Sequence, residues 1–140
     1  MSVRDVFRSL VPIVILDWNR RRKKTQVRNA LAHKKNTGAV WTKERLVDSL
    51  RSAGVQYGVD LLVHSAMSRI GYVEGGPKTV VDALREVIGP EANLLMPTSP
   101  VTTLQAKHPQ EVFSVLETPS KMGAITEYFR SNIATERSAH

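Results

Sequence analysis

With 140 residues, 41% of them hydrophobic, the chain has room for one domain with a real core, which excludes a wholly disordered protein. It contains no cysteine, which excludes disulfides, thiolate nucleophiles and cysteine-based zinc sites and fits a reducing, cytoplasmic setting. The net charge of +7 sits at one end: residues 1–40 hold ten Lys/Arg against Asp5 and Asp17, and residues 41–140 hold ten against eleven Asp/Glu, so overall basicity is weak evidence for nucleic-acid binding.

Residues 1–40 read as a basic extension preceding a domain over residues 41–140. Val3 to Trp18 is largely apolar, centred on Val11-Pro12-Ile13-Val14-Ile15-Leu16, and the block Arg20-Arg21-Arg22-Lys23-Lys24 follows it. A signal peptide has the opposite order, charges first, and no apolar run here has the length of a membrane span. Three readings stand. One is a helix packed on the domain or on a neighbouring subunit, with a solvated charge run behind it. Another is peripheral attachment to an anionic membrane through residues 20–35. The third, a nucleic-acid tail, is disfavoured because no aromatics interleave with the basic residues.

Trp41 to Gly54 predicts a helix, with Thr42 as N-cap, Glu44 in the first turn, Leu46, Val47 and Leu50 as the apolar stripe and Gly54 as the left-handed stop. A strand follows over residues 60–63, ending at His64-Ser65. The loop of residues 65–76 carries Gly71, Gly75 and Gly76. Pro77 then opens a second helix, whose buried face is Val80, Val81, Leu84, Val87 and Ile88 and whose end is Gly89-Pro90. A second strand, Leu94-Leu95-Met96, stops at Pro97-Thr98-Ser99. Neither strand alternates apolar with polar, so both are expected to be buried, in a βαβ unit of a parallel sheet. The fold class is therefore α/β, a layered domain with a mainly parallel sheet flanked by helices.

Ligands of such sheets bind outside the carboxyl ends of the strands. Here those ends carry His64, Ser65, Thr98 and Ser99. The Gly75-Gly76 pair leaves free N–H groups at a helix start, a geometry that suits a phosphate or carboxylate but without P-loop or dinucleotide spacing. After a long loop containing His108, Thr118 and Pro119 predict the start of a third helix with Met122, Ile125, Tyr128 and Phe129 on its apolar face and Gly123 in its interior.

From about Thr42 onward the sequence resembles the aminoglycoside N-acetyltransferases that act on the 3-amino position. The matching pieces are residues 62–71 (LVHSAMSRIG), 73–76 (VEGG), 96–99 (MPTS), 118–126 (TPSKMGAIT) and 137–140 (RSAH). Their order and separation match too. The resemblance covers what corresponds to the N-terminal half of family members, and residues 1–40 lie outside it. Ala66 and Met67 stand where a serine and a leucine are usual, and Lys121 replaces an arginine, which keeps the charge and loses the planar fork.

The resemblance implies transfer of an acetyl group from acetyl-coenzyme A to an amine of an aminosugar or aminoglycoside, without a metal. It implies coenzyme A contacts from His64, Ser65, Ala66, Met67, Val73, Gly75 and Gly76, with Thr98, Ser99, Ser120 and Lys121 at the rim of the same cleft. The catalytic base is expected beyond His140, and His140 itself, in the Arg-Ser-x-His motif, is a weak candidate. Ordinary structural roles stand beside these: His64 and Ser65 bonded to backbone at a strand end, Lys121 solvated, His108 exposed in its loop. A truncated, inactive relative that at most binds coenzyme A is the main alternative.

Overall fold

The computed structural model describes residues 40–99 and 114–138, with isolated positions between 18 and 38. The chain divides into two units, Met1–Ala39 and Val40–His140. In the first, positions 18, 21–23, 25, 26, 29, 30 and 33 are helical and exposed. The Thr25 hydroxyl donates to the Arg21 carbonyl (3.0 Å), as along a regular helix.

The second unit is built from α1 (Lys43–Ser52), β1 (Leu61–Leu62), α2 (Met67–Ile70), α3 (Pro77–Ile88), β2 (Leu94–Leu95) and α4 (Ala124–Asn132). Its centre is α3. Pro77 occupies the first turn, where its missing N–H is not needed, and Val80, Val81, Ala83, Leu84, Val87 and Ile88 are all buried. α1 and α4 both pack on α3. Leu46 and Val47 of α1 and Ile125 and Phe129 of α4 complete the core with Val73 and Met96. An ion pair from Lys43 to Glu86 (2.6 Å) joins α1 to α3 at the surface, where it adds little. Thr42 caps α1 through a long bond from the Arg45 N–H (3.4 Å), and Gly54 follows the helix with φ +91°.

β1 and β2 pair in parallel, with Leu61 opposite Leu94 and Leu62 opposite Leu95. The α/β class and the β1–α3–β2 crossover are as expected. The register is pinned where the strands begin: Asp60 accepts from the N–H (2.7 Å) and side-chain amide (3.1 Å) of Asn93.

Three expectations are corrected. The strands are buried on one face only: Leu62 is 62% and Leu95 48% exposed, while Leu61 and Leu94 pack against the core. The helices that pack on one another all contribute to a single core, so a side chain with the opposite pleat finds no cover among the described residues. Second, the final helix starts at Ala124. Gly123 is its N-cap at φ +146°, not an interior residue, and Met122 is exposed. Third, Thr118 does not cap that helix. Its N–H donates to the Ser114 carbonyl (3.0 Å) and its hydroxyl accepts from the Ser114 N–H (2.8 Å), closing a separate turn. A Thr-Pro-Ser start signal is local, and here the backbone that it caps belongs to that turn.

Two features lacked a local signal. α2 interrupts the loop between β1 and α3. Trp41 also forms a parallel bridge with Val73, its N–H reaching the Tyr72 carbonyl (2.9 Å) and its carbonyl accepting from the Glu74 N–H (3.0 Å).

Candidate functional site at the carboxyl edge of the sheet

Because β1 and β2 are parallel, their carboxyl ends emerge at one edge, and α3 must start there to return the chain for β2. The Val63 N–H still pairs with the Leu95 carbonyl (2.9 Å) before the strands separate. His64 is exposed. The Ser65 Oγ is buried and makes no hydrogen bond, an uncommon state for a hydroxyl. Ala66 precedes α2, and Met67 packs against the core. Gly71 (φ +107°) lies against the Trp41 ring.

Val73 is buried, which anchors the approach to α3. Gly75 and Gly76 follow with φ +74° and +65°, and no side chain caps the helix. A side chain at Gly75 would collide with the Thr79 hydroxyl, which sits directly over it. The turn is closed by the Gly76 N–H donating to Val73 (3.0 Å). Lys78 in the first turn is engaged with Asp82, whose carboxylate raises the lysine pKa.

Beyond β2, Thr98 and Ser99 are half-buried and Ser120 is buried. The Lys121 N–H donates to the Ser99 carbonyl (2.7 Å), fastening residues 120–122 to the strand end. Glu127 holds the other side: one carboxylate oxygen accepts from the Ser120 N–H (2.6 Å) and from Arg130 Nε (2.9 Å), the other from the second Arg130 nitrogen (2.7 Å). The Arg130 guanidinium, with the Ser120 N–H, holds the Glu127 carboxyl below its usual pKa.

Arg137 completes the clasp. Its Nε donates to the Thr98 hydroxyl (3.2 Å), and one terminal nitrogen donates to the carbonyls of Val115 (2.9 Å) and Thr118 (2.7 Å). Arg130 reaches the Leu116 carbonyl (2.9 Å). Two arginines thus bind the 115–118 turn to β2 and α4. The motif that contains Arg137 carries no sign of these contacts, because a guanidinium near several loop carbonyls has no local signature.

The expected residues therefore form two clusters at one sheet edge: His64 to Met67 with Val73, Gly75 and Gly76, and Thr98 with Ser99, Ser120 and Lys121. His108 and His140 lie outside the described residues. Among the described residues no three His, Asp or Glu side chains converge to hold a metal ion. A cavity of about 1090 Å³ opens beside β2, between α3 and α4. Of the expected cofactor residues only Thr98 lines it, together with Arg130 and Arg137, so this space is distinct from the turn before α3.

Residues 62–140 match the family model described as Aminoglycoside 3-N-acetyltransferase. An aminoglycoside N(3')-acetyltransferase-like protein of Bacillus subtilis, YokD, is 32% identical over 117 residues, 71% of this chain and 43% of that protein. Aminoglycoside N(3)-acetyltransferase VIII of Streptomyces fradiae is 47% identical over 58 residues, 41% of this chain and 20% of that one. Among solved structures, the apoenzyme of aminoglycoside acetyltransferase AAC(3)-IVa superposes with a TM-score of 0.64 at 31% identity, over 73% of this chain and 38% of that one. AAC-IIIb in a binary complex with CoASH gives 0.58 at 25% identity, covering 72% and 43%. AAC-VIa bound to sisomicin gives 0.61 at 32%, covering 73% and 43%. The chain spans less than half the length of each of these relatives.

Proposed function

Since the chain belongs to the aminoglycoside 3-N-acetyltransferase family, we propose that the carboxyl edge of its sheet binds acetyl-coenzyme A for transfer of the acetyl group to an amine of an aminoglycoside or related aminosugar. The observation that carries this reading is the Ser65 Oγ, buried without a partner at the end of β1. A desolvated hydroxyl left unpaired costs free energy, and a polar ligand group at that edge would satisfy it. At the uncapped start of α3 the Gly76 N–H is taken by Val73 and Pro77 has none, which leaves the N–H groups of Lys78 and Thr79 at the positive end of the helix dipole for the anionic part of the same ligand. AAC-IIIb, similar over 72% of this chain, is a CoASH complex, and AAC-VIa was solved with sisomicin, which supports the pairing of cosubstrate and acceptor.

In this mechanism the acceptor amine attacks the thioester carbonyl. The new C–N bond forms, the C–S bond breaks, and the sulfur leaves to become the free thiol of coenzyme A. The proton lost by the amine passes to a general base. Donors at the strand ends stabilise the oxyanion while it exists. The roles assigned are cofactor contact for His64, Ser65, Ala66, Met67, Val73, Gly75 and Gly76, and cleft rim for Thr98, Ser99, Ser120 and Lys121. The base is assigned to none of the described residues.

Calorimetric titration of the purified chain with coenzyme A tests the binding step, and thiol release with sisomicin as acceptor tests transfer. The reading expects saturable binding, weakened up to about tenfold by Ser65→Ala. Binding without thiol release would reduce the role to coenzyme A binding alone, and no binding by folded protein would sink the proposal.

A further inference from the structure

We propose that the segment around Trp18 and the block Arg20-Arg21-Arg22-Lys23-Lys24 is a docking surface for an anionic lipid bilayer. This stands apart from the acetyl-transfer reading, because the segment lies outside residues 62–140, where the family match falls.

Charge comes first. Residues 1–40 carry +8 and the remainder of the chain −1, so the attraction for an anionic surface is concentrated in one short segment. Exposure is the second observation. Every described helical position from 18 to 33 is exposed. Trp18, with 56% of its surface exposed, is the large apolar side chain among them.

The third observation is the pairing of these two chemistries. The Arg22 guanidinium lies over the Trp18 ring, 5.2 Å from its centroid. An indole and a guanidinium side by side on an exposed helix match the headgroup layer of a bilayer, where the ring meets the acyl boundary and the cation meets phosphate. In sequence the apolar run Val11–Leu16 lies three residues before the basic block, across Asp17-Trp18-Asn19, so both parts of a two-signal attachment are close together. No described helix is long and apolar enough to cross a membrane.

A polyanion such as duplex DNA would meet the same charges. It would leave Trp18 and the apolar run unused, and the block offers no interleaved aromatics on which bases stack. The bilayer uses all three features.

The test is co-sedimentation of the full chain with vesicles of phosphatidylglycerol and phosphatidylcholine, set against pure phosphatidylcholine vesicles and a random-sequence duplex at about 0.15 M salt. Two variants accompany it: one with Arg20, Arg21, Arg22, Lys23 and Lys24 all changed to Gln, and Trp18→Ala. Expected are binding to the anionic vesicles, loss of at least about tenfold in affinity in the five-site variant and at high salt, and a severalfold loss in Trp18→Ala. Absence of binding, equal binding to neutral vesicles, insensitivity to Trp18→Ala, or duplex binding as tight as vesicle binding would each overturn the proposal.

Discussion

Arg137 and Thr98 are 39 residues apart, and the Arg137 Nε donates to the Thr98 hydroxyl at 3.2 Å. The same guanidinium holds the carbonyls of Val115 and Thr118. One side chain therefore sets the distance between the end of β2 and the turn leading to Ser120 and Lys121.

Arg137→Ala removes these bonds and strands two turn carbonyls and a half-buried hydroxyl. The expected cost is about 2–3 kcal/mol, read as a lowered urea midpoint with an unchanged slope. Arg137→Lys should recover less than half of it, because a single ammonium cannot reproduce the fork that reaches three acceptors. Full stability in the alanine variant would show that the clasp is not a source of stability.

Glu127 predicts a pH dependence. Its folded pKa is depressed, first by Arg130, so its contribution to stability is fully present above the unfolded value near 4.5 and is lost as pH falls through the lower folded value. Chemical denaturation between neutral pH and about pH 3 should show this loss, and Glu127→Gln should be less stable at neutral pH with a shallower acid limb. Parallel limbs in the two proteins would remove Glu127 as the source.

At Gly75 two effects coincide. The backbone has φ +74°, and a side chain would collide with the Thr79 hydroxyl. Gly75→Ala should cost about 1–3 kcal/mol in thermal or urea unfolding. Adding Thr79→Ala should recover only the collision and leave the cost of the left-handed backbone. Complete rescue by the second change would mean that the backbone conformation is not strained.

The sheet predicts an asymmetry. Ile88 is 1% exposed and fills the core side of α3, and Leu62 is 62% exposed on the open face of β1. Ile88→Ala should cost about 2–5 kcal/mol and Leu62→Ala less than about 0.5 kcal/mol. Comparable losses at the two sites would show that the open face is covered in solution.

Most of α3 was determined by the sequence alone. Its apolar positions recur with the helical period, Pro77 and the preceding glycines mark its start, and Gly89-Pro90 its end. Each signal acts within a few residues, so no tertiary information is needed to read it. The same holds for α1 with Thr42 and Gly54, and for the parallel pairing implied by two short apolar runs around one helix. The edge that carries His64, Ser65, Thr98 and Ser99 followed from that topology.

Only the tertiary structure decided the rest. Leu62 and Leu95 belong to continuous apolar runs, yet face away from the core, because burial depends on which layer lies on each side of the pleat. Thr118 gave up the expected capping role to Gly123 because the 114–118 turn to which it belongs is held by Arg130 and Arg137, whose partners lie 14, 19 and 22 residues away. The orphaned Ser65 hydroxyl, from which the proposed cofactor contact starts, is likewise a property of packing. Local chemistry fixes where an element begins and what it can bond; the neighbours that tertiary folding supplies decide what it does bond.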